Sequence, residues 1–409
     1  MNATTTIDAT PVYPEIDFAL DDVLDFHERM DALRTAGERV VPVRYYGQIA
    51  WLILRHDDTR AAYRDNATFP CSEAYQRHSA QAMGDKMLLA LDGEEHRVKR
   101  LLISRALLPQ KIPAIVDRHI QPLANELVDA FAGARAVDVV ERFTRPLPMY
   151  LITRLLGLPD GEGAQLIKWV EALFSFDTAP EQALAARAEV TEFLQPVINA
   201  RRTEPRDDLI SLLATAEVEG EKLDDEDILS FARLLFPAGS DTTYLTMGSM
   251  INAVLADPSL HRQLLTQPEL RPAAVEESLR LFGTVALQNR FTVSGCEMHG
   301  VRIPPQSWVL FGNAPGNHDP EVFADPHRFD LTRNHKPMLT FGGGPHVCIG
   351  AHLARATLLT GLSTLLDRLP GLRLAGQPVT PAGAILRGVR HLPVAFDTVL
   401  PAQPEGGAS

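Results

Sequence analysis

Apolar residues recur at helical spacing along most of the chain. In three representative segments they return every three or four positions, which places them on one face of a helix. The segments are IQPLANELVDAFAG at 120–133, EDILSFARLLF at 226–236 and AVEESLRLF at 274–282. This period predicts a protein that is mainly α-helical.

Strand-like runs, rich in β-branched and aromatic residues, are few. They are VRYYGQIAWLIL at 43–54, NRFTVSGCEMHGVRIPPQSWVLF at 289–311 and RHLPVAF at 390–396. We therefore expect a mainly α fold with small β-sheet portions, in one domain over 16–400 with disordered tails at 1–15 and 401–409. The section 313–350 contains many Pro and Gly residues and is predicted to be irregular but ordered.

Composition narrows the class of protein without identifying it. Hydrophobic residues make up 45% and charged residues 22% of 409 positions, which is ordinary for a globular protein. The net charge of −13 argues against general nucleic-acid binding. The N-terminus has no basic and apolar signal pattern, and no apolar run approaches the roughly 20 residues of a membrane span. We expect a cytoplasmic monomer.

The three cysteines, Cys71, Cys296 and Cys348, are widely spaced and form no CxxC motif, which favours a reducing compartment. Cys348 lies in a glycine-rich turn, FGGGPHVCIG at 341–350, before a helical pattern. Amides at a helix start stabilise a thiolate, and glycines allow close approach of the backbone. The pattern favours a sulfur anion bound to a metal, and a buried free cysteine is the alternative.

The spacing Phe341-x-x-Gly344-x-x-x-Cys348-x-Gly350 resembles the haem-thiolate signature of the cytochrome P450 monooxygenases. The resemblance implies a haem b whose iron has Cys348 as its axial ligand. It also implies that Phe341 shields the sulfur, and that Gly344 and Gly350 let haem and helix approach closely. Thiolate ligation donates electron density to the iron and favours O–O cleavage.

A basic pair lies in the segment LDGEEHRVKRLL. His96 and Arg100 are four residues apart and share a helix face, which alone is also typical of a solvated basic surface. The resemblance adds Arg290 and His346 and implies that all four side chains bind the two haem propionates. Arginine is suited to bidentate contact with a carboxylate.

The segment FPAGSDTTYL at 236–245 places Pro237 and Gly239 inside a helical pattern, which predicts a kink or a local opening. On the residues alone, SDTT is also good helix-capping chemistry. The segment resembles the family's Ala-Gly-x-acid-Thr groove, which places Ala238 against the haem. The resemblance implies that Asp241 and Thr242 are catalytic and relay protons to bound oxygen.

Glu277 and Arg280 are three residues apart, which is compatible with a surface ion pair. The resemblance implies instead a buried structural network whose third member is Arg328, in DPHRFD. Two positions depart from the family pattern. His318 stands where arginine is common, and Thr284 and Val285 stand where proline is frequent.

The resemblance implies a monooxygenase that inserts one oxygen atom of O2 into a C–H bond of a small apolar substrate, such as a terpenoid, a steroid or an aromatic. Electrons would come from a ferredoxin and its reductase. A basic docking patch is predicted at Arg97, Lys99, Arg105 and Arg355. The substrate pocket is predicted at Phe174, Phe176, Leu235, Val285, Leu287 and Ile385. Alternatives are a peroxide-driven or redox-neutral use of the same haem, and a non-enzymatic haem sensor or carrier.

Overall fold

The structure, a computed structural model, describes residues 9–77, 79–159, 163–176 and 178–402. Helices predominate, as the periodicity predicts. In chain order they are α1 (Phe26–Thr35), α2 (His56–Arg64), α3 (Cys71–Arg77), α4 (Ala80–Met83), α5 (Gly93–Ser104), α6 (Ile112–Ile115), α7 (Gln121–Asp129), α8 (Pro146–Leu155), α9 (Gly163–Phe174), α10 (Pro180–Thr203), α11 (Leu209–Thr215), α12 (Asp225–Ala256), α13 (Pro258–Thr266), α14 (Arg271–Phe282), α15 (Asn313–Asn317) and α16 (Ala351–Arg368).

The strands are short. They are β1 (Val40–Tyr45), β2 (Gln48–Ile53), β3 (Ala136–Asp138), β4 (Glu217–Val218), β5 (Glu221–Lys222), β6 (Leu287–Thr292), β7 (Cys296–Met298), β8 (Val301–Ile303), β9 (Ser307–Gly312), β10 (Arg373–Leu374) and β11 (Pro393–Ala395). The largest sheet has the order β1-β2-β9-β6, and a second has the order β10-β11-β3. Two further hairpins pair β4 with β5 and β7 with β8. Small sheets beside a helical body are the predicted architecture.

The central helix, α12, begins with a reciprocal cap. The Asp224 side chain accepts from the amide of Asp227 at 2.8 Å, and the Asp227 side chain accepts from the amide of Asp224 at 3.0 Å. The helix then continues for 32 residues, without interruption at Pro237 or Gly239. A Cβ on Gly239 would lie 2.6 Å from Cδ1 of Ile152 in α8. Close packing of α8 against α12, rather than a break in the helix, therefore accounts for this glycine.

Helix α16 packs its apolar face into the core shared by α7, α8, α12 and α14. Leu358, Leu362, Leu365 and Leu369 are buried, as their helical spacing predicts. Full burial of each such side chain stabilises the fold by about 2 kcal/mol. This packing fixes the start of α16, and the cysteine loop precedes it directly.

The main sheet brings β6 beside the helical body. Tyr46 and Gly47 have φ of 49° and 72° in the tight turn that joins β1 to β2. β2 pairs parallel to β9, and β9 pairs antiparallel to β6 in the register Val309↔Arg290. The chain is already packed before residue 16, because the amide of Val12 donates to the carbonyl of Pro42 at 2.9 Å. Part of the segment predicted as an N-terminal tail therefore contacts β1.

A buried ion-pair network holds the irregular section that leads to the cysteine loop. Arg280 donates to the two carboxylate oxygens of Glu277 at 2.7 and 2.8 Å, and both side chains are fully buried. Arg280 also donates to the carbonyls of Asn317 and Pro326 at 2.8 Å each. The predicted buried pair is confirmed, and it ties α14 to the section after α15.

The predicted third member, Arg328, is wrong. Its side chain is 65% exposed and pairs with Asp330 at 2.7 Å. Arg333 is the third member of the network instead, and its Nε donates to the carboxylate of Glu277 at 3.0 Å. His335 Nε2 also lies 3.0 Å from the same carboxylate. The motif DPHRFD places an arginine near the network, but the chain turns there, and only the backbone carbonyl of Arg328 faces Arg280 and Arg333.

Candidate active site

A cavity of about 620 Å³ lies between α12, α5, the cysteine loop and the segment from α14 into β6. Its wall is mainly apolar, and two groups among its polar side chains contain the site residues predicted from the sequence. One group contains His96, Arg100, Arg290 and His346, and the other contains Asp241, Thr242, Thr246 and Thr284. The fold therefore brings residues from distant parts of the chain to one enclosed space.

Cys348 lies at the wall of this cavity, one turn before α16. Its amide donates to the carbonyl of Phe341 at 2.9 Å, which closes the loop. Its surface is exposed toward the cavity, although surrounding protein atoms raise the pKa of its thiol through burial. A backbone hydrogen bond from Gly350 and the charges of Arg100 and Arg355 favour the thiolate. This environment suits a sulfur whose charge is balanced by a metal ion.

The two signature glycines differ in what they contact. A Cβ on Gly344 would collide with the carbonyl oxygen of Tyr63, at the end of α2, and the residue has φ of +64°. Gly344 is not among the residues that line the cavity, and its contact with Tyr63 is a reason for glycine here besides the predicted approach to haem. Gly350 does line the cavity, and its nearest neighbour is Sγ of Cys348, 4.0 Å from a Cβ placed there.

Phe341 also lines the cavity, at the opposite end of the cysteine loop from Gly350. The guanidinium of Arg355 lies 4.6 Å from its ring centroid. Arg355 in turn pairs with Glu276 of α14 at 2.6 Å. These contacts fix the ring beside the loop that carries Cys348.

In the group formed by His96, Arg100, Arg290 and His346, some buried polar atoms lack a hydrogen-bond partner among the described residues. The rings of His96 and His346 stack with centroids 4.0 Å apart. His96 Nε2 and His346 Nδ1 are buried and have no hydrogen-bond partner in the described part of the protein. Arg290 is 5% exposed, and the hydrogen bond its guanidinium makes is to the carbonyl of Asn289, at 2.8 Å. Since burying unpaired polar groups is costly, these atoms fit an anionic acceptor such as a propionate.

Asp92, which the sequence did not single out, organises this group. It precedes α5 at the N-cap, yet its side chain does not cap that helix. Its carboxylate accepts instead from His346 Nε2 at 2.9 Å, from Asn66 Nδ2 at 2.7 Å and from the amide of Ser72 at 3.0 Å. Burial alone would raise the pKa of this carboxyl, and these hydrogen bonds together hold it well below its usual range. The sequence feature that could have indicated Asp92 is its position four residues before His96.

The acid and the alcohol of the predicted groove lie together on α12. The hydroxyl of Thr242 donates to the carbonyl of Ala238 at 2.7 Å. Burial raises the pKa of Asp241 to about 6, although the charge of Arg145 and a hydrogen bond with Ser240 oppose the shift. A carboxyl with this pKa can both hold and release a proton near neutral pH.

The predicted pocket residues largely meet at the cavity. Its wall includes Phe176, Leu235, Val285, Leu287 and Ile385. The side chain of Phe174 lies outside the described residues. The wall thus offers apolar contact from α12, from β6 and from the turn that contains Ile385.

Each cation of the predicted docking patch already has a partner in the fold. Arg97 pairs with Glu94 at 2.6 Å and with Glu219 at 2.8 Å, and Lys99 pairs with Glu95 and Asp227 at 2.6 Å each. Arg105 donates to the carbonyl of Glu217 at 3.1 Å. The patch therefore presents both signs of charge.

Among the described residues, no helix has the length and apolarity that crossing a membrane requires.

Comparison with known proteins links these features. The family model described as Cytochrome P450 matches residues 19–370. The 6-deoxyerythronolide B hydroxylase of Saccharopolyspora erythraea is 33% identical over 88% of this chain and 93% of its own length. The mycinamicin IV hydroxylase/epoxidase of Micromonospora griseorubida is 34% identical over 86% and 90%. The solved structure of cytochrome P450 CYP109Q5 from Chondromyces apiculatus has a TM-score of 0.85 and 29% identity, covering 95% and 99% of the two chains.

Proposed function

The chain belongs to the cytochrome P450 family of cysteine-ligated haem monooxygenases, and we propose that it inserts one oxygen atom of O2 into a C–H bond of a small apolar organic substrate. The observation that carries this proposal is the single cavity that contains both Cys348 and the Asp241–Thr242 pair. A thiolate ligand and a proton relay within one apolar space are the two elements that oxygen activation needs from the protein.

The described residues fit a haem b. Cys348 would ligate the iron, and Ala238, Phe341 and Gly350 line the space around it. His96 Nε2 and His346 Nδ1 are buried ring nitrogens without partners among the described residues, and the two rings would lie against the propionates together with Arg100 and Arg290. When bound, the haem supplies the iron at which O2 is reduced and activated.

The protein's own contribution to the reaction is proton delivery and orientation. Burial raises the pKa of Asp241 to about 6, so its carboxyl can take up and release a proton near neutral pH. Thr242, the next residue, presents a hydroxyl that is fixed by its bond to Ala238. An acid followed by an oriented hydroxyl can pass protons to reduced oxygen, a role that typically contributes about 10² to 10⁴ in rate.

An apolar cavity wall favours an apolar substrate. Leu235, Val285, Leu287 and Ile385 surround the space with aliphatic side chains and would orient the substrate by contact rather than by charge. The two named relatives are a hydroxylase and a hydroxylase/epoxidase, and both names describe insertion of oxygen. A terpenoid, a steroid or an aromatic compound fits this lining.

Electrons would come from a ferredoxin and its reductase. Val347, beside Cys348, is 41% exposed, and Leu101 of α5 is 43% exposed. Arg97 remains 44% exposed although it is paired. An apolar centre with flanking charges is suited to a weak, transient partner. Charge reversal at Arg97 should therefore lower the rate of reduction and change its salt dependence.

The test of the central claim is the absorption spectrum of the reduced, CO-bound protein. We expect the red-shifted Soret band of thiolate ligation in the parent and its loss in Cys348→Ser. Cys296→Ser is the matched control, because Cys296 lies in the β7–β8 hairpin and outside the cavity wall. A parent protein without the shifted band would contradict the proposal.

Turnover separates this function from its alternatives. With purified ferredoxin, reductase and NADPH, a monooxygenase consumes O2 and forms product only when all components are present. Turnover that needs only hydrogen peroxide would identify a peroxide-driven enzyme, and turnover without any oxidant would identify a redox-neutral one. Titration of spin state against terpenoids, steroids and aromatics would identify the substrate class.

A further inference from the structure

Hydroxyl side chains on α12 follow a regular local pattern. Each of three hydroxyls donates to the carbonyl four residues earlier, which is the ordinary local bond of Ser and Thr in a helix. The three bonds are Ser240 to Phe236 at 2.6 Å, Thr242 to Ala238 at 2.7 Å and Ser249 to Leu245 at 2.8 Å.

Thr246 departs from this pattern. Four residues before it lies the carbonyl of Thr242, but the Thr246 hydroxyl is instead 2.9 Å from the hydroxyl of Thr284. Thr284 in turn donates to the carbonyl of Thr242 at 2.9 Å. A carbonyl only accepts and a hydroxyl has one proton, so Thr246 must donate to Thr284. A hydroxyl from another segment is thus inserted between Thr246 and the backbone of Thr242.

The inserted hydroxyl is held firmly. Thr284 is 2% exposed and Thr246 is 3% exposed, and both line the cavity. The carbonyl of Thr284 accepts from the amides of Arg387 and Ala286 at 2.8 Å each. The backbone of Thr284 is therefore fixed from two sides, so its side chain is a rigid donor aimed at Thr242.

We propose that Thr284 is a positioning residue for Thr242. By holding the carbonyl of Thr242, Thr284 fixes the turn 242–246 of α12, and with it the direction of the Thr242 hydroxyl. Because the Thr242 carbonyl accepts from a buried side chain of another segment, the geometry of this turn depends on Thr284 as well as on the helix itself. This role rests on the proposed function and adds a supporting hydroxyl behind the Asp241–Thr242 pair.

The consequence is a choice between two products of oxygen reduction. Without substrate, O2 takes two electrons and two protons to give H2O2, or four electrons and four protons to give two H2O. The electrons come from the reductase and ferredoxin in both cases. Cleavage of the O–O bond needs a proton at the outer oxygen atom, so a well-oriented Thr242 hydroxyl favours water.

The experiment measures H2O2 formed per O2 consumed by the haem-loaded enzyme with ferredoxin, reductase and NADPH, and without substrate. Thr284→Val keeps the side-chain shape and removes the donor, and we expect the peroxide-to-water ratio to rise roughly five-fold, as for loss of one neutral hydrogen bond. Thr284→Ser keeps the donor and should match the parent. Ser249→Ala, which removes a hydroxyl from the same helix that does not contact Thr284, is the control.

A double-mutant cycle tests the connection without relying on turnover. Thr246→Val, Thr284→Val and the double variant are compared by thermal unfolding of the haem-loaded protein. Since Thr246 donates to Thr284 and Thr284 donates to the Thr242 carbonyl, we expect the double variant to be destabilised by clearly less than the sum of the single effects. Additive effects would overturn the proposed chain of hydroxyls.

The two measurements separate the possible failures. An unchanged peroxide-to-water ratio in Thr284→Val, or an equal rise in Thr284→Ser, would overturn the positioning role. If Thr284→Val does not retain haem, Thr284→Ala replaces it, because it also removes the donor to Thr242, and an unchanged ratio in that variant would likewise overturn the role. A parent that consumes no O2 would contradict the proposed function, and the unfolding cycle would still decide whether the hydroxyls are coupled.

Discussion

The two walls of the cavity are built on different physical principles. On the cysteine side, position is enforced by packing and by buried ion pairs: Gly344 presses against the backbone of Tyr63, and Arg333 binds Glu277. On the α12 side, position depends on hydroxyls that donate to carbonyl oxygens of the helix, as Thr242 does to Ala238 and Thr284 does to Thr242. The first wall is suited to holding a ligand in one place, and the second is suited to moving protons.

This difference predicts how each wall responds to substitution. Changes on the cysteine side should reduce stability or haem retention, because they remove contacts that no neighbouring group can replace. Changes on the α12 side should alter pH dependence and the products of oxygen reduction while the fold persists. The variants below test this division.

The largest expected effect is that of Arg333→Ala. Arg333 is 9% exposed and pairs with the fully buried Glu277, so its removal leaves a buried carboxylate short of one partner. Breaking a buried pair costs about 3–5 kcal/mol. We expect a loss of unfolding free energy toward the low end of this range, measured by denaturant, because Arg280 and His335 still contact Glu277.

Arg328→Ala is the matched control for that measurement. Arg328 is 65% exposed and pairs with Asp330 at the surface, where removal costs less than about 1 kcal/mol. Equal losses in the two variants would mean that Arg333 does not anchor the section before the cysteine loop. A greater loss in Arg328→Ala would restore the assignment made from the sequence motif.

Gly344→Ala is expected to have the next largest effect. The residue has φ of +64°, and an added Cβ would collide with the carbonyl of Tyr63. We expect a loss of at least about 2 kcal/mol in unfolding free energy, with less haem-loaded protein recovered. Gly376→Ala is the control, because a Cβ there meets no atom within 4 Å. Equal stability of the two variants would contradict packing as the reason for this glycine.

The sequence predicted most of the site because its parts are local motifs. Cys348 with its glycines, His96 with Arg100, and Asp241 with Thr242 are each readable within ten residues of chain. Asp92 and Thr284 were not assigned roles, because their partners are 254 and 42 residues away. The motif DPHRFD likewise indicates Arg328, but the chain turns there and it is Arg333 that pairs with Glu277.

Asp92→Asn tests the cysteine-side wall at a residue that the motifs did not identify. Loss of the carboxylate removes the charged acceptor for His346 Nε2, so the ring should be held less firmly in place beside the propionate. Outer partners of this kind typically contribute about 10–100-fold to affinity. We expect haem transfer to apomyoglobin to be about ten-fold faster than in the parent.

The control is Asp257→Asn, which also changes an N-cap aspartate. Asp257 accepts from the amides of Ser259 and Leu260 in its own helix, and asparagine caps nearly as well. Its haem transfer rate should equal that of the parent. A parent-like rate in Asp92→Asn as well would mean that His346 needs no outer partner.

The smallest expected effect, on the α12 wall, is a pH-dependent gain in stability in Asp241→Asn. Burial raises the pKa of Asp241 from 3.8 to about 6, so the folded protein holds a proton that the unfolded chain has released. Parent stability should therefore fall as pH rises from about 4 to about 6, by roughly 1–3 kcal/mol, and stay low above that range. The variant lacks this titration, so its advantage should be absent near pH 4 and complete by pH 7.

Chemical denaturation across this range measures the difference, and a constant difference at all pH values would show that Asp241 is already ionised in its ordinary range. In that case Asp241 would be a fixed charge on the α12 side, as Glu277 is on the cysteine side, and the contrast between the two walls would fail.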